Sequence, residues 1–238
     1  MRKAVIVGVG PDRGLGAQLC KRFAADGLHV FAVGRTQSRV DAVAADIAKS
    51  GGQATAVVAD ATDEKKVAAL FSQIGDGLEL AIYNAGNNTP GRLIDMEADY
   101  FEDSWRVICF GAFLFAKEAL HRMAPAGEGS ILFTGASASL RGRPGFGAFN
   151  SAKAALRNMA QAMAKEYAPD GVHVGHVVID GGILGDKIMT RRPDIVERLG
   201  EDGLIDIDGI VDAFVYLHSQ PKSAWSFELD VRTSKESW

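Results

Sequence analysis

Short apolar runs rich in valine alternate along this chain with longer amphipathic stretches, and that alternation limits the folds open to it more than any other feature. The runs cover residues 3–9, 29–34, 53–58, 78–83, 130–134, 172–179 and 226–231. Runs that are apolar throughout, instead of at every second position, suit strands buried on both faces. A sheet is covered in this way when crossover helices return each strand parallel to the last. Helical periodicity fills the intervals at 14–26, 37–50, 63–74, within 100–123, at 149–167 and at 207–219. The rhythm therefore predicts an α/β fold: a doubly wound, seven-stranded parallel sheet flanked by helices. With 238 residues, 47% of them hydrophobic, the chain is long enough to bury one large core, and a single domain over residues 1–238 is expected.

Charge and cysteine usage narrow the class of function. The formal net charge is −4 and the basic residues are scattered, which gives no electrostatic case for nucleic acid or an anionic membrane. No apolar run approaches the about 18–20 residues of a membrane span. Met1-Arg2-Lys3 leads straight into a strand-like run that is too short for a signal-peptide core. Cys20 and Cys109 fall in helical stretches against apolar neighbours and are expected to be buried free thiols. These features fit a cytoplasmic protein. The histidines lack metal-ligand spacing, His173 and His176 falling on opposite faces of a strand, so no metal site is predicted. Trp105, Trp225 and Trp238 read as core or interface aromatics, and residues 224–231 as part of a subunit interface.

Local signals place the ends of several elements. Asp63 before Glu64 marks a helix start, with acidic groups at the positive end of the dipole. Gly51-Gly52 and Gly171 follow helices, where a left-handed cap favours glycine. One irregular stretch, about 181–206, contains Gly181-Gly182, Gly185, Arg191-Arg192-Pro193 and Gly200. It is expected to form a lid over a small-molecule substrate, because loops at strand ends carry function.

After the first strand the chain reads Gly10-Pro11-Asp12-Arg13-Gly14-Leu15-Gly16. A strand that delivers a glycine loop to a helix N-terminus makes an anion site, since unpaired N–H groups point outward there. Gly10 is assigned to the tight turn, Gly14 to close approach of a pyrophosphate and Gly16 to helix–strand packing. The second strand ends Val33-Gly34-Arg35-Thr36, with no acid until Asp41. NAD sites place a carboxylate in this region for the ribose hydroxyls, whereas NADP sites place arginine near the 2′-phosphate. Arg35 and Arg13 therefore predict NADP(H) in preference to NAD(H); the alternative is a pair of solvated surface arginines.

The glycine loop, Asn84-Ala85-Gly86 after the fourth strand, and Phe149-Asn150-Ser151-Ala152-Lys153 opening a long helix together resemble the short-chain dehydrogenase/reductase family. The resemblance implies a Rossmann-type fold. It implies further that Asp60 and Ala61 meet the adenine, that the backbone of Asn84, Ala85 and Gly86 lies against the cofactor, and that Lys153 holds the nicotinamide ribose. Asp60 is also placed to cap the helix that follows it. Gly181 and Ile183 stand where the family has its segment beside the nicotinamide amide.

The same resemblance exposes departures. In the family the segment ending at the lysine reads Tyr-x-x-x-Lys, and the tyrosine hydroxyl moves the proton that accompanies hydride transfer; here Phe149 has no hydroxyl. Ala136 stands where serine is usual, thirteen residues before Phe149, with Ser137 one residue away. Ile108 stands where asparagine is usual. Asp180 brings a carboxyl group close to the chemistry, either as a protonated donor with a raised pKa or as an Asx-turn residue. What the resemblance implies is an NADP(H)-dependent oxidoreductase acting on a carbonyl or alcohol, with a non-standard proton path through Asp180, Ser137 or water, in a homodimer or homotetramer. The alternatives are a nucleotide-binding protein without turnover, in a regulatory or structural role, and a lyase or isomerase on the same fold.

Overall fold

A computed structural model describes residues 1–200 and 202–236. Its strands are β1 Lys3–Val7, β2 His29–Gly34, β3 Gln53–Val58, β4 Leu78–Tyr83, β5 Ser130–Thr134, β6 His173–Asp180 and β7 Glu228–Arg232. All pair in parallel, and the seven-stranded order is β3-β2-β1-β4-β5-β6-β7. The winding reverses between β1 and β4, which opens a crevice at the carboxyl ends of these strands.

The helices are α1 Leu15–Ala25, α2 Gln37–Lys49, α3 Glu64–Ile74, α4 Ala98–Trp105, α5 Gly111–Ala126, α6 Gly147–Tyr167, α7 Asp186–Arg191, α8 Pro193–Leu199 and α9 Ile207–Ser219. Because successive strand residues point to opposite faces, β1 feeds two cores. Val5 and Val7 join Phe71, Phe115 and Leu156 on the α3, α5 and α6 side. Ala4 and Ile6 join Leu19, Phe23 and Phe214 on the α1, α2 and α9 side. Cys20 and Cys109 are buried and unpaired.

Several element ends differ from the sequence reading, each for a local reason. β1 stops at Val7 because Gly8 turns the chain at φ +94°. Asp63 caps α3 as expected, its carboxylate accepting from the N–H groups of Lys65 and Lys66 at 3.0 and 3.1 Å. The expected helix within 100–123 is α4 and α5 joined by a π-helical stretch, Arg106–Phe110. Within it the Val107 carbonyl accepts from the Tyr83 hydroxyl at 2.5 Å. Gly111 lies directly on that hydroxyl, where a Cβ would collide. α6 begins at Gly147, so Phe149 lies within its first turn.

The stretch expected to be an irregular lid carries α7 and α8, and its ends are zipped together. Leu184 N donates to Ile205 O and Ile205 N to Gly182 O, both at 2.8 Å. Glu201, within this lid, lies outside the described residues, as does Trp238. Trp225 stacks on His173 of its own chain, ring centroids 4.8 Å apart and 2° from parallel, so it packs internally.

Candidate active site

The crevice is built first by backbone approach. At Gly8 a Cβ would lie 2.6 Å from Ala85 N and 2.6 Å from Asn84 C, so β1 and β4 meet where no side chain fits. Asn84 locks the meeting point. Its N–H donates to Val7 O at 2.9 Å, its Nδ2 to Gly8 O at 3.2 Å, and its Oδ1 accepts the Thr134 hydroxyl at 3.0 Å. Gly16 packs under the same point: a Cβ there would lie 2.5 Å from Gly8 O and 3.1 Å from Asn84 Nδ2, so α1 packs closely on β1.

Gly14 is required by contact with Pro11 O, 2.9 Å from where its Cβ would stand. Gly10 is different. No protein atom lies within 4 Å of its virtual Cβ, and its φ is not positive. The demanding turn is at Gly8, and the space above Gly10 is open. α1 has Gly14 as its N-cap, without a side-chain capping bond and without an acid in its first turn. Its first N–H groups therefore present an electropositive end suited to an anion.

Arg13 and Arg35 both leave their side chains exposed at this end. The 181–206 stretch reaches back to the loop: Asp186 Oδ2 accepts from Arg13 N at 3.0 Å, and Asp186 N donates to Arg13 O at 2.9 Å. Asp60 turns onto its own segment, accepting from Thr62 N at 2.9 Å and the Thr62 hydroxyl at 2.8 Å. The Thr62 N–H, with help from Thr62 Oγ1, Arg35 and Lys66, holds this carboxyl below its usual range. The helix cap is Asp63, so Asp60 does not serve as one.

The lysine cluster forms on one face of α6. Lys153 is 5% exposed, and its Nζ donates to the Thr134 carbonyl at 2.6 Å. The same Nζ lies 5.7 Å from the centre of the Phe149 ring. Gly86 closes the box, its virtual Cβ 4.0 Å from Lys153 Nζ and 3.7 Å from Ile108 Cγ1. Burial without an anionic partner lowers the Lys153 pKa to about 8. Ile108 is fully buried, and Ala136 is buried in extended backbone. Phe149, Lys153, Ile108 and Gly86 thus come together, with Thr134 as a member the sequence reading missed.

Asp180 is 2% exposed at the end of β6. Arg141 Nη2 donates to Oδ1 at 2.9 Å and to Oδ2 at 3.0 Å, and Arg232 Nη1 lies 4.0 Å from Oδ2. Burial acts to raise its pKa, but the Ser137 hydroxyl, Arg141 and Arg232 outweigh burial and leave it below the usual value. The expectation of a protonated Asp180 is therefore corrected: the group is an ionised acceptor held by Arg141. Gly181 and Ile183 follow at the root of the lid, Gly181 against Ile205 and Ile183 in a bridge with Ile205.

Behind this cluster lies another group missed from sequence. Arg157, one turn after Lys153, binds Glu228 through Nε at 2.6 Å and Nη2 at 2.8 Å. His176 Nδ1 lies 2.9 Å from the same carboxylate. Burial lowers the His176 pKa to about 4, so it is neutral. Only the pairing of β6 with β7 brings His176 opposite Glu228, and no local spacing announces it. Among the described residues no group of three His, Cys, Asp or Glu side chains could hold a metal.

Residues 3–192 match the family described as short chain dehydrogenase, and the chain belongs to that family. It is 33% identical to a short-chain dehydrogenase of known structure from Rhodopseudomonas palustris, with a TM-score of 0.82 and 97% of this chain and 98% of that one covered. It is 26% identical over 216 residues to an NADPH-dependent aldehyde reductase-like chloroplastic protein of Arabidopsis thaliana, covering 83% of this chain and 79% of the relative. It is 29% identical over 193 residues to an uncharacterized oxidoreductase of Bacillus subtilis, of which it spans only 28%. The relatives are oxidoreductases of this type.

Proposed function

We propose that the protein is an NADP(H)-dependent oxidoreductase that interconverts a small-molecule carbonyl and its alcohol. The observation that carries the cofactor choice is the end of β2. Arg35 stands there exposed, Arg13 stands exposed on the glycine loop, and the Asp60 carboxylate is folded onto Thr62. The site suits a nicotinamide dinucleotide, because α1 offers an uncapped N-terminus and the space at Gly10 is open. The NADPH dependence in the name of the Arabidopsis relative supports the same choice.

When bound, the cofactor supplies or accepts the hydride. The chain's own residues do the rest. Gly10, Gly14, Leu15 and Gly16 hold the diphosphate, Asp60 and Ala61 the adenine end, and Asn84, Ala85, Gly86, Gly181 and Ile183 flank the nicotinamide half. Lys153 holds the ribose, and Phe149 covers its amine with a ring instead of a phenol. With Asp180 ionised, the group best matched to donate a proton is the Lys153 ammonium, acting through water. Its pKa of about 8 lies close to working pH.

Assembly as a homodimer or homotetramer is part of the proposal, supported by the exposed apolar residues Phe101, Trp105 and Phe113 along α4 and α5. The free buried cysteines fit the cytoplasm, and among the described residues no helix is long and apolar enough to cross a membrane.

Cofactor titration tests the assignment. NADPH is expected to bind about tenfold or more tightly than NADH, and Arg35→Ala to remove most of that difference, since a charged hydrogen bond contributes about 1.5–3 kcal/mol. Equal affinity for the two cofactors would sink the NADP assignment.

A further inference from the structure

One buried base in this fold has no part in the chemistry described above. His176 lies fully buried within β6, between β5 and β7. Glu228 on β7 holds one edge of the ring, its Oε2 2.9 Å from Nδ1, and Arg157 holds that carboxylate in turn at 2.6 and 2.8 Å. Arg157 and the ring outweigh burial and keep the Glu228 carboxyl below its usual range. An ionised carboxylate only accepts, so the proton of the neutral ring sits on Nδ1 and the lone pair on Nε2. That nitrogen is buried without a hydrogen-bond partner among the described residues.

The lone pair faces the lysine side of the sheet. His176 pairs with Phe133 in the register of β5 and β6, and Phe133 belongs to the core on the α6 side, so the ring projects toward α6. Its Nε2 and Cε1 press on Gly135, where a Cβ would collide with both. Gly135 directly follows Thr134, whose carbonyl holds Lys153 Nζ at 2.6 Å. α6 thus sets Lys153 over the end of β5 and Arg157, one turn on, over β7, with the His176 ring on the strand between. The charged groups acting on the ring are Glu228 from β7 and Lys153 and Arg157 from α6. Phe227 stacks on it at 6.2 Å, and β5 adds no charge there. Lys153 is short of partners too: its ammonium is buried, and the Thr134 carbonyl is its one hydrogen-bond acceptor among the described residues. A base without a donor and a cation short of acceptors therefore flank one peptide, Thr134–Gly135. An apolar side chain at 176, like Val174, Val177 and Val178 beside it, would carry no unpaired nitrogen into the core.

We propose that His176 is a positioning residue for Lys153: locked in one tautomer by Glu228, it turns its Nε2 lone pair toward the lysine and stabilises the ammonium form. The proton itself stays on the amine. Burial, with Lys153 and Arg157, holds the ring at a pKa of about 4 against the pull of Glu228, whereas Lys153 keeps about 8. That the ammonium then donates to a substrate rests on the oxidoreductase reading; the link between His176 and Lys153 does not.

A carbon NMR titration tests the link, on the full chain labelled at lysine Cε and without cofactor or substrate, the Lys153 signal being the one lost in Lys153→Met. The native midpoint is expected at about 8. In His176→Leu it falls by about one pH unit or more, a tenfold loss of proton affinity. In His176→Gln, whose amide oxygen takes the place of Nε2, it stays within about half a unit of native. His176→Val, a residue that β6 already carries at 174, 177 and 178, gives the same fall where leucine does not fold. A ring that serves packing alone gives the opposite sign, because loosened packing admits water and carries the midpoint up toward 10.5. A midpoint that rises or stays in the apolar variants, or that falls equally in His176→Gln, overturns the proposal. Rate profiles separate it from the oxidoreductase reading. Where the native chain reduces a carbonyl, the alkaline limb moves down in His176→Leu together with the NMR midpoint; a limb that stays while the midpoint moves removes Lys153 as the donor and leaves the His176 link standing.

Discussion

At position 8 the backbone adopts φ +94° and passes 2.6 Å from atoms of β4 when measured from a virtual Cβ, so Gly8→Ala strains the turn and pushes β1 off Asn84 together. We expect a loss of about 2 kcal/mol or more in urea denaturation, where Gly10→Ala, with open space and no positive φ, changes stability by less than about 0.5 kcal/mol. Equal costs at the two positions would contradict the crevice described. The spacing of Gly10, Gly14 and Gly16 was legible in the sequence because it repeats a local pattern. Gly8 was not, because what demands glycine there is a strand that arrives some seventy-six residues later.

Lys153 gives the second expectation at this scale. Its pKa falls from an ordinary 10.5 to about 8 on burial, so between these values the unfolded chain holds a proton that the folded chain lacks. Stability contributed by this group therefore rises with pH across that window, by about 1.4 kcal/mol per unit. It is measured as the difference between the native chain and Lys153→Met, which lacks the rise. A difference that stays flat from pH 8 to 10.5 would place the amine in water. The Phe149–Lys153 pairing was readable from helical spacing alone. The ionised state of Asp180 was not, since it depends on Arg141 and Arg232 arriving from a separate loop and strand.

Among the elements, strand positions were legible almost throughout, because β1, β2 and β4 to β6 are buried, mainly apolar runs that no amphipathic helix would use, while β3, at the sheet edge, is only partly buried. The helices that carry the site were read less completely. The π-helical stretch around Ile108 has no signature in composition; Tyr83 from β4 donates to the Val107 carbonyl within it, and Gly111 leaves room for that hydroxyl. The lid hid its two short helices behind glycines and a proline that read as irregular chain. Its attachment to the glycine loop rests on Asp186, whose carboxylate holds Arg13 N and whose N–H returns to Arg13 O. Asp186→Ala removes the charged half of that staple, worth about 1.5–3 kcal/mol locally. Amide exchange in α7 and α8 is expected to quicken about tenfold or more while the strands keep their protection. Unchanged exchange in residues 186–199 would show that the staple does not hold the lid.

The whole molecule joins the fold of its family to a site in which the apolar Phe149 and Ile108 line one box with a buried lysine held by the Thr134 carbonyl. A chain that had merely lost its chemistry would be free to lose the geometry too. Here Asn84 ties β1, β4 and β5 together beneath an uncapped α1, Lys153 is buried in a closed box, and Asp180 is paired on two sides. That order supports the proposed turnover by a proton path without a phenol. The most direct test is a single-turnover reaction of the native chain, with Phe149 in place, using NADPH deuterated at the nicotinamide C4 on the transferred face and a panel of small carbonyl compounds. Deuterium on the carbinol carbon of the product is the predicted result. Cofactor that remains unconsumed until Phe149→Tyr and Ala136→Ser are introduced would contradict the account and make the native protein a binder of nucleotides alone.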